Sequence, residues 1–325
     1  MSHSTQQAGS ASIVVGVDGS EHSQAAFEVA LGLAQQRQVT LEVVAAYTEP
    51  GYEYLPENVQ GLAKRNAEEF MDDLLVTAKD SSVEITTAAI EGDAAGVLID
   101  VSRQASLVVV GKRGRSRFAG RFLGSVSASV ASHAHCPSLV VPARAARKDL
   151  PEAEFAGLPD ELDESGIGVI TSAGVAPTDD FHDSVVVAVD LDAEPVDVVL
   201  SAAKYAEARD LKLVLINAQP FSGSLWMPVS PVYYAQVPDL RKNVADRLAT
   251  FATSIEDQTS APVQWRFYDA NPADILTEAS HTASIVVVGT RGHGGFAGLL
   301  LGSVSRAVLN RAVCPVLVIP TEPEM

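Results

Sequence analysis

The sequence predicts an α/β protein of two repeated domains, each a five-stranded parallel sheet with helices on both faces. Short strands that are apolar on both faces alternate with helical segments, as in a parallel sheet covered on both sides. Two long segments of the chain repeat each other, and so long a period indicates whole domains rather than a solenoid. The length of 325 residues also suits two domains, since one domain typically takes about 100–200 residues.

The first half begins with a β-branched strand at 13–18 that ends at a Gly-Ser pair. Residues 21–36 then place apolar side chains at helical spacing, and residues 41–46 form the next apolar run. A helix with a polar face follows at 59–78. The remaining elements are a strand at 83–90, a helix at 94–103, a strand at 107–110, a helix at 125–133 and a strand at 138–141. Such sheets bind ligands at the carboxyl ends of their strands, where the strand order reverses.

The second half repeats this order of elements. Residues 111–127 and 289–305 are identical at 11 of 17 positions. Chance would give about one identity in 17 positions, so the repeat indicates an internal duplication. The strand at 13–18 also has a counterpart of similar sequence at 185–190.

The repeat sets the expected domain boundaries. We expect one domain at 1–147 and a second at 184–325. The segment between them, 148–183, is acidic and contains several prolines, which is typical of a linker. Within this linker we expect at most a short strand at 167–171.

The composition excludes several classes of function. Lys and Arg number 23 against 41 Asp and Glu, a net charge of −18. Nonspecific binding to nucleic acid or anionic lipid needs a basic face and is therefore not expected. Two cysteines are too few for a disulfide scaffold or a four-cysteine zinc site. The chain shows neither a signal peptide nor an apolar run of the ~18 residues that a membrane span needs, so we expect a cytoplasmic protein.

The segment after the strand at 107–110 indicates a binding site. Gly111 and Gly114 leave the strand, and Gly124 and Ser125 then open a helix. Glycine lets a ligand approach the backbone closely, and Ser125 is a suitable helix N-cap beside outward-pointing amides. This arrangement suits phosphate. The alternative is that the glycines only form turns, but the same spacing occurs again in the second half.

Two common phosphate motifs are absent from the sequence. No Walker loop, G-x-x-x-x-G-K-[ST], occurs, and no dinucleotide fingerprint, G-x-G-x-x-G, follows a strand. The spacing that does occur is G-x-x-G, nine residues, then G-[ST], each time after a V-V-V-G strand. This pattern resembles the ATP-binding signature of the universal stress proteins. The early V-D-G-S at Asp18-Gly19-Ser20 and the closing C-P-x-L-V-[VI]-P segments agree with it.

The resemblance covers nearly all of the chain except the linker, and the architecture is similar to the tandem universal stress proteins of bacteria. It implies a half-Rossmann-like fold that binds ATP with Mg²⁺. In the first half the implied contacts are Asp18, Ala46, Gly111, Gly114, Gly124, Ser125 and Val126. To these we add Arg113, an arginine of the glycine loop. In the second half they are Asp190, Ala218, Gly289, Arg291, Gly292, Gly302, Ser303 and Val304. The resemblance also implies that the aspartates lie near the nucleoside and the metal-phosphate end, with Asp18 as the expected Mg²⁺ ligand, and that Ala46 and Ala218 lie on the adenine side.

The two sites differ in charge. The first loop carries Lys112, Arg113, Arg115, Arg117 and Arg121, whereas the second keeps Arg291 and His293. Arginine pairs well with phosphate, and we expect such contacts first from Arg113 and Arg115; the alternative is that these arginines balance neighbouring acids. Asp190 is followed by Leu191-Asp192 instead of Gly-Ser, which brings a second carboxylate near phosphate. We predict that the first site binds ATP more tightly.

Other features have simpler interpretations. Cys136 and Cys314 each precede a proline at the start of an apolar strand and are expected to be buried as small hydrophobes. The aromatic, proline-rich segment 226–234 is expected to be a loop over the second pocket, with an exposed docking surface as the alternative.

Three functions stay open at this point. The first is a stress-response protein that binds ATP, or a related adenine nucleotide, as a regulatory signal. The second is a slow ATPase or nucleotide hydrolase, for which the sequence shows no general base. The third is a scaffold with vestigial loops. We expect the first, with weak ATPase activity at most, and an intramolecular pseudo-dimer through the last strand of each half, or a homodimer.

Overall fold

The computed structural model describes residues 12–49, 61–114, 123–143, 180–193, 196–221, 231–290 and 301–321, without the side chains of 231–235. The chain divides into two compact units, Met1–Lys148 and Asp149–Met325. The strand expected at 167–171 and most of the linker expected at 148–183 lie outside the described residues, so the domain boundaries stay a prediction.

The first unit alternates strand and helix in the predicted order. Its elements are β1 (Ile13–Gly16), α1 (Glu21–Arg37), β2 (Leu41–Tyr47), α2 (Leu62–Thr77), β3 (Ile85–Glu91), α3 (Ala94–Val101), β4 (Leu107–Gly111), α4 (Ser125–His133) and β5 (Ser138–Val141). Strand β1 is shorter than predicted because the chain turns away from the sheet after Val17, whose N–H donates to Val44 O at 2.9 Å. Gly19 makes this turn at a φ of 76°, which glycine adopts without strain.

The second unit repeats the series. Its elements are β6 (Ser184–Ala188), α5 (Val196–Glu207), β7 (Lys212–Ala218), α6 (Pro231–Glu256), β8 (Val263–Tyr268), α7 (Pro272–Ala279), β9 (Ile285–Gly289), α8 (Ser303–Arg311) and β10 (Val316–Ile319). Helix α6 begins at Pro231, so the last part of the segment expected to be a loop at 226–234 is helical. Proline suits the first turn of a helix, where its missing N–H has no partner to lose. Residues 226–230 lie outside the described residues.

Each unit contains a parallel sheet. The strand order is β3-β2-β1-β4-β5 in the first unit and β10-β9-β6-β7-β8 in the second. In the first unit the order reverses between β1 and β4, which pair with Ile13 opposite Leu107. Right-handed crossovers then place α1 and α2 on one face and α3 and α4 on the other, and α3 indeed packs against α4. The predicted fold class is confirmed.

The central strands of each sheet are buried on both faces. In β1 and β4 the valines are at most 3% exposed, which explains why these strands read as continuous apolar runs rather than alternating ones. Cys136 and Cys314 are buried thiols outside any disulfide. Burial raises the pKa of the Cys136 thiol to about 11, so this thiol stays protonated and unreactive. None of the helices in the described ranges is both long enough and apolar enough to cross a lipid bilayer.

Candidate functional site

The first unit has a cavity of about 260 Å³ at the carboxyl ends of β1, β2 and β4. This is the reversal point of the strand order, where ligands of open α/β sheets bind. The structure brings the predicted residues of the first half together in its lining: Asp18, Ala46, Gly111, Arg113, Gly114, Gly124, Ser125 and Val126. Apolar side chains from β2, β4 and α3, among them Val44, Val110 and Leu98, complete the wall.

The second unit has an equivalent cavity of about 330 Å³ at the ends of β6, β7 and β9. The predicted residues in its lining are Asp190, Ala218, Gly289, Gly302, Ser303 and Val304. Arg291 and Gly292 lie outside the described residues, as does Arg115 of the first loop. Two lining residues that the sequence did not single out are Asn217 and Gln219.

The three glycines of the first loop have different structural roles. A Cβ at Gly111 would come within 2.7 Å of the His22 carbonyl, and a Cβ at Gly114 within 2.6 Å of Asp18 Oδ2. These two glycines therefore let the loop pack against the first turn of α1 and against Asp18. A Cβ at Gly124 would have its nearest neighbours at 3.4 Å, an ordinary contact. The fold itself therefore tolerates a Cβ at Gly124, which belongs to the cavity lining.

Helix α4 begins without a capping side chain. Ser125 is its first residue and Gly124 is the N-cap, with extended backbone at φ −68° and ψ 153°. The prediction that Ser125 caps the helix is wrong, because the extended cap conformation falls one residue earlier. Since Gly124 has no side chain to accept from the first-turn amides, the N–H groups of Ser125 and Val126 are available to a ligand in the cavity.

The start of α4 is fastened to the end of β4. Gly124 N–H donates to Lys112 O at 2.9 Å, and Ser127 Oγ donates to Gly111 O at 2.7 Å. The second unit repeats both bonds: Gly302 N–H donates to Thr290 O at 2.7 Å, and Ser305 Oγ donates to Gly289 O at 2.7 Å. Both helix starts are therefore held in a fixed position at the cavity, as preorganised anion binding requires.

Arg113 supplies positive charge to the first cavity. Its Nε–H is buried and has no hydrogen-bond partner in the part of the chain that the structure describes. An unsatisfied buried donor is costly, and a guanidinium pairs strongly with phosphate oxygens. The alternative that this arginine balances a neighbouring acid stays open, since Asp18 lines the same cavity.

The two aspartates lie in similar turns. Asp18 Oδ1 accepts from Ser20 N–H at 3.0 Å, and Asp190 Oδ1 accepts from Asp192 N–H at 3.2 Å. The carboxylate of Asp192 pairs with Arg247 at 2.8 Å, so its charge is partly neutralised rather than opposing a phosphate.

No group of three or more His, Cys, Asp or Glu that could hold a metal occurs among the described residues. Mg²⁺ commonly takes one or two protein carboxylates and completes its shell with phosphate and water. Asp18 fits this mode, because its Oδ2 faces the loop at Gly114.

Sequence analysis did not identify His22, which connects the loop to the end of the unit. Its Nδ1 accepts from Ala143 N–H at 2.9 Å, so the imidazole is neutral in this arrangement. Burial, followed by the nearby Arg113 charge, lowers the pKa of His22, and Lys112 adds to this effect. His22 and Ala143 are 121 residues apart in sequence, and no local pattern predicts their contact.

The bond from Ala143 predicts a pH-dependent stability. A lowered pKa means that the unfolded chain binds the proton more readily than the folded chain, so stability is complete above about pH 6.5 and falls below it. The variant His22→Asn keeps an acceptor for Ala143, because its Oδ1 takes the position of Nδ1, but it does not titrate. We expect wild type to lose more stability than His22→Asn between pH 7.5 and pH 5.5, measured by urea unfolding. If both proteins lost the same stability over this pH range, the titration of His22 would not be the source of the pH dependence.

Comparisons with known proteins agree with this architecture. The model of the universal stress protein family matches residues 10–142 and 182–320, one region in each unit. Universal stress protein Rv1996 of Mycobacterium tuberculosis (strain ATCC 25618 / H37Rv) is 32% identical over 339 residues, covering 96% of each chain. Universal stress protein Rv2623 of the same strain is 29% identical, over 94% of this chain and 95% of the relative.

The fold also resembles a solved structure. The crystal structure of a universal stress protein from Archaeoglobus fulgidus DSM 4304 aligns with a TM-score of 0.63 over 98% of both chains. The sequences are 18% identical, so this likeness concerns the fold alone.

Proposed function

The chain belongs to the universal stress protein family, and from this premise we propose that it is a cytoplasmic ATP-binding protein that acts in the stress response through its nucleotide-bound state. The observation that carries the proposal is that Arg113 and the uncapped start of α4 line the same cavity. A guanidinium and free helix amides together favour a phosphate group.

The cavity also matches the length of a nucleotide. In the order β4-β1-β2, neighbouring strands lie about 4.8 Å apart, so the ends of β4 and β2 are roughly 10 Å apart. Phosphates at the start of α4 would place the ribose near Asp18 and the base near Ala46. The wall at that end is apolar, with Val44 and Leu98, which suits a planar base.

Asp18 and the phosphate oxygens would hold Mg²⁺, which neutralises part of the polyphosphate charge when bound. Asp18 is the one carboxylate among the described lining residues of the first cavity. A side chain that already binds metal is poorly placed to act as a general base. We therefore propose binding rather than catalysis, with weak ATPase activity as the alternative, which ADP production over hours would reveal. Pairing through β5 and β10 stays a prediction.

The proposal predicts that ATP with Mg²⁺ stabilises the protein. A ligand that binds only the folded state adds roughly 2.7 kcal/mol at a hundredfold excess over Kd. For a unit of about 150 residues this raises Tm by about 5–10 °C. Differential scanning calorimetry with millimolar ATP and Mg²⁺ checks this value, and an unchanged Tm would refute nucleotide binding.

A matched pair of arginine variants assigns the effect to the cavity. Arg113→Gln removes the guanidinium from the cavity and should weaken ATP binding at the first site about 10- to 100-fold. Arg103→Gln is the control, because Arg103 is 60% exposed and lies 3.9 Å from Asp100 on the surface. Equal binding by both variants would show that Arg113 does not contact the ligand.

A further inference from the structure

Each cavity contains an aspartate that follows the first strand of its unit and begins a turn. Asp190 is the one carboxylate among the described lining residues of the second cavity, as Asp18 is in the first. Its Oδ1 accepts from the N–H of Asp192 at 3.2 Å. The conformation of this turn therefore decides where the Asp190 carboxylate stands in the cavity.

In the first unit, the residues next to Asp18 hold the turn themselves. Gly19 takes a positive φ of 76°. Ser20 is the N-cap of α1, and its hydroxyl accepts from Ser23 N–H at 3.2 Å. Ser23 Oγ donates back to Ser20 O at 2.9 Å. Reciprocal bonds of this kind fix the start of a helix, and here they also fix the turn that precedes it.

The second unit has different residues at all three of these positions. The correspondence of the two first strands pairs Gly19, Ser20 and Ser23 with Leu191, Asp192 and Pro195. Leucine is strained at positive φ, and Leu191 does not adopt it. Proline has no N–H to donate, so Pro195 cannot form the capping bond that Ser23 forms. The local device of the first unit is therefore missing from the second sequence.

An arginine from another helix holds the second turn instead. Arg247 of α6 donates from Nη2 to Asp192 Oδ1 at 2.8 Å and to Leu191 O at 3.2 Å. These partners are 55 and 56 residues away in sequence. Asp192 connects Arg247 to Asp190, because its carboxylate accepts from the guanidinium while its N–H donates to the Asp190 carboxylate.

We propose that Arg247 is a positioning residue of the second cavity: through Asp192 it holds the turn that presents Asp190 to the phosphate and metal end of a bound nucleotide. This inference rests on the proposed function, and it gives Asp190 the role that Asp18 has in the first cavity. The first cavity needs no such arginine, because Gly19 and Ser20 hold its turn locally. Loss of Arg247 should therefore weaken the second site alone.

The contribution of Mg²⁺ to ATP affinity measures how well Asp190 is placed. The background for all variants is Gly124→Val, whose first cavity is blocked, and calorimetry gives the Kd for ATP with Mg²⁺ and with EDTA. Arg247→Gln should reduce the ratio of these two affinities about 3- to 10-fold, because a less fixed turn presents Asp190 less often. Arg247→Lys keeps the charge and a donor toward the turn, and it should recover most of the ratio.

Arg311→Gln is the matched control in the same unit. Arg311 pairs with Asp274 at 2.7 Å and is 45% exposed, much as Arg247 is 47% exposed, and its loss should leave both affinities unchanged. Four results would overturn this inference alone: no loss in Arg247→Gln, an equal loss with Mg²⁺ and with EDTA, no recovery in Arg247→Lys, or the same loss in Arg311→Gln. Absence of ATP binding in wild type would overturn the proposed function and this inference with it.

Discussion

Asp269→Asn is expected to destabilise the second unit by about 3–5 kcal/mol, because it removes the charge of a fully buried carboxylate that pairs with Arg241. Asp269 is 1% exposed. One of its oxygens accepts from Arg241 Nε at 2.8 Å and from a terminal guanidinium nitrogen. The other oxygen accepts from Phe221 N–H at 2.6 Å. The amide of Asn would lose the charge and turn a donor toward one of these donors.

Tryptophan fluorescence during urea unfolding measures this effect in the right unit, since both tryptophans, Trp226 and Trp265, belong to the second unit. Asp192→Asn is the matched control. Asp192 pairs with Arg247 at 2.8 Å, but both side chains are about half exposed, so its loss should cost only about 0–1 kcal/mol. Similar losses in the two variants would contradict the assignment of the effect to burial.

The Asp269 pair also affects the second cavity. By holding Phe221, it fixes the chain that leaves β7, two residues after Gln219 of the cavity lining. We therefore expect Asp269→Asn to weaken nucleotide binding at the second site as well as stability, while the first site is unchanged.

Local patterns were sufficient to predict the fold. The central strands are runs of apolar residues and the helices have apolar side chains at regular spacing, so both signals lie within about 20 residues. The repeat then predicted that both halves fold alike, which the two strand orders confirm. Boundaries were less accurate where capping geometry decides them, as at Gly124 and Ser125.

The composition of the cavities was partly predictable, because the glycine spacing marks the ends of strands that must converge. The contacts that shape them were not. Gly111 is required by the backbone of His22, and Asp269 meets an arginine 28 residues away. Such pairs depend on how separate elements pack, for which a single sequence has no local signal.

Gly124→Val is expected to abolish high-affinity ATP binding while the protein stays folded. The backbone at Gly124 has a φ of −68°, which any residue adopts, and its Cβ would meet only ordinary contacts at 3.4 Å. The added methyl groups would, however, stand where phosphate must approach the amides of α4. Gly32→Val is the control, since Gly32 is exposed and a Cβ there meets no atom within 4 Å.

Gly302→Val is the corresponding change in the second cavity and should leave the high-affinity site intact. Arg113 of the first loop has Arg291 as its counterpart, but the first loop also carries Lys112 and Arg115 where the second has Thr290 and His293. A tenfold difference in affinity needs only about 1.4 kcal/mol, which one such cation can supply. Isothermal titration calorimetry on both variants decides the ranking, with circular dichroism as the test of folding. If both variants fold and Gly302→Val loses the tighter site, the second site is the tighter one and the ranking is reversed. The cations of the first loop would then not be the source of the tighter binding.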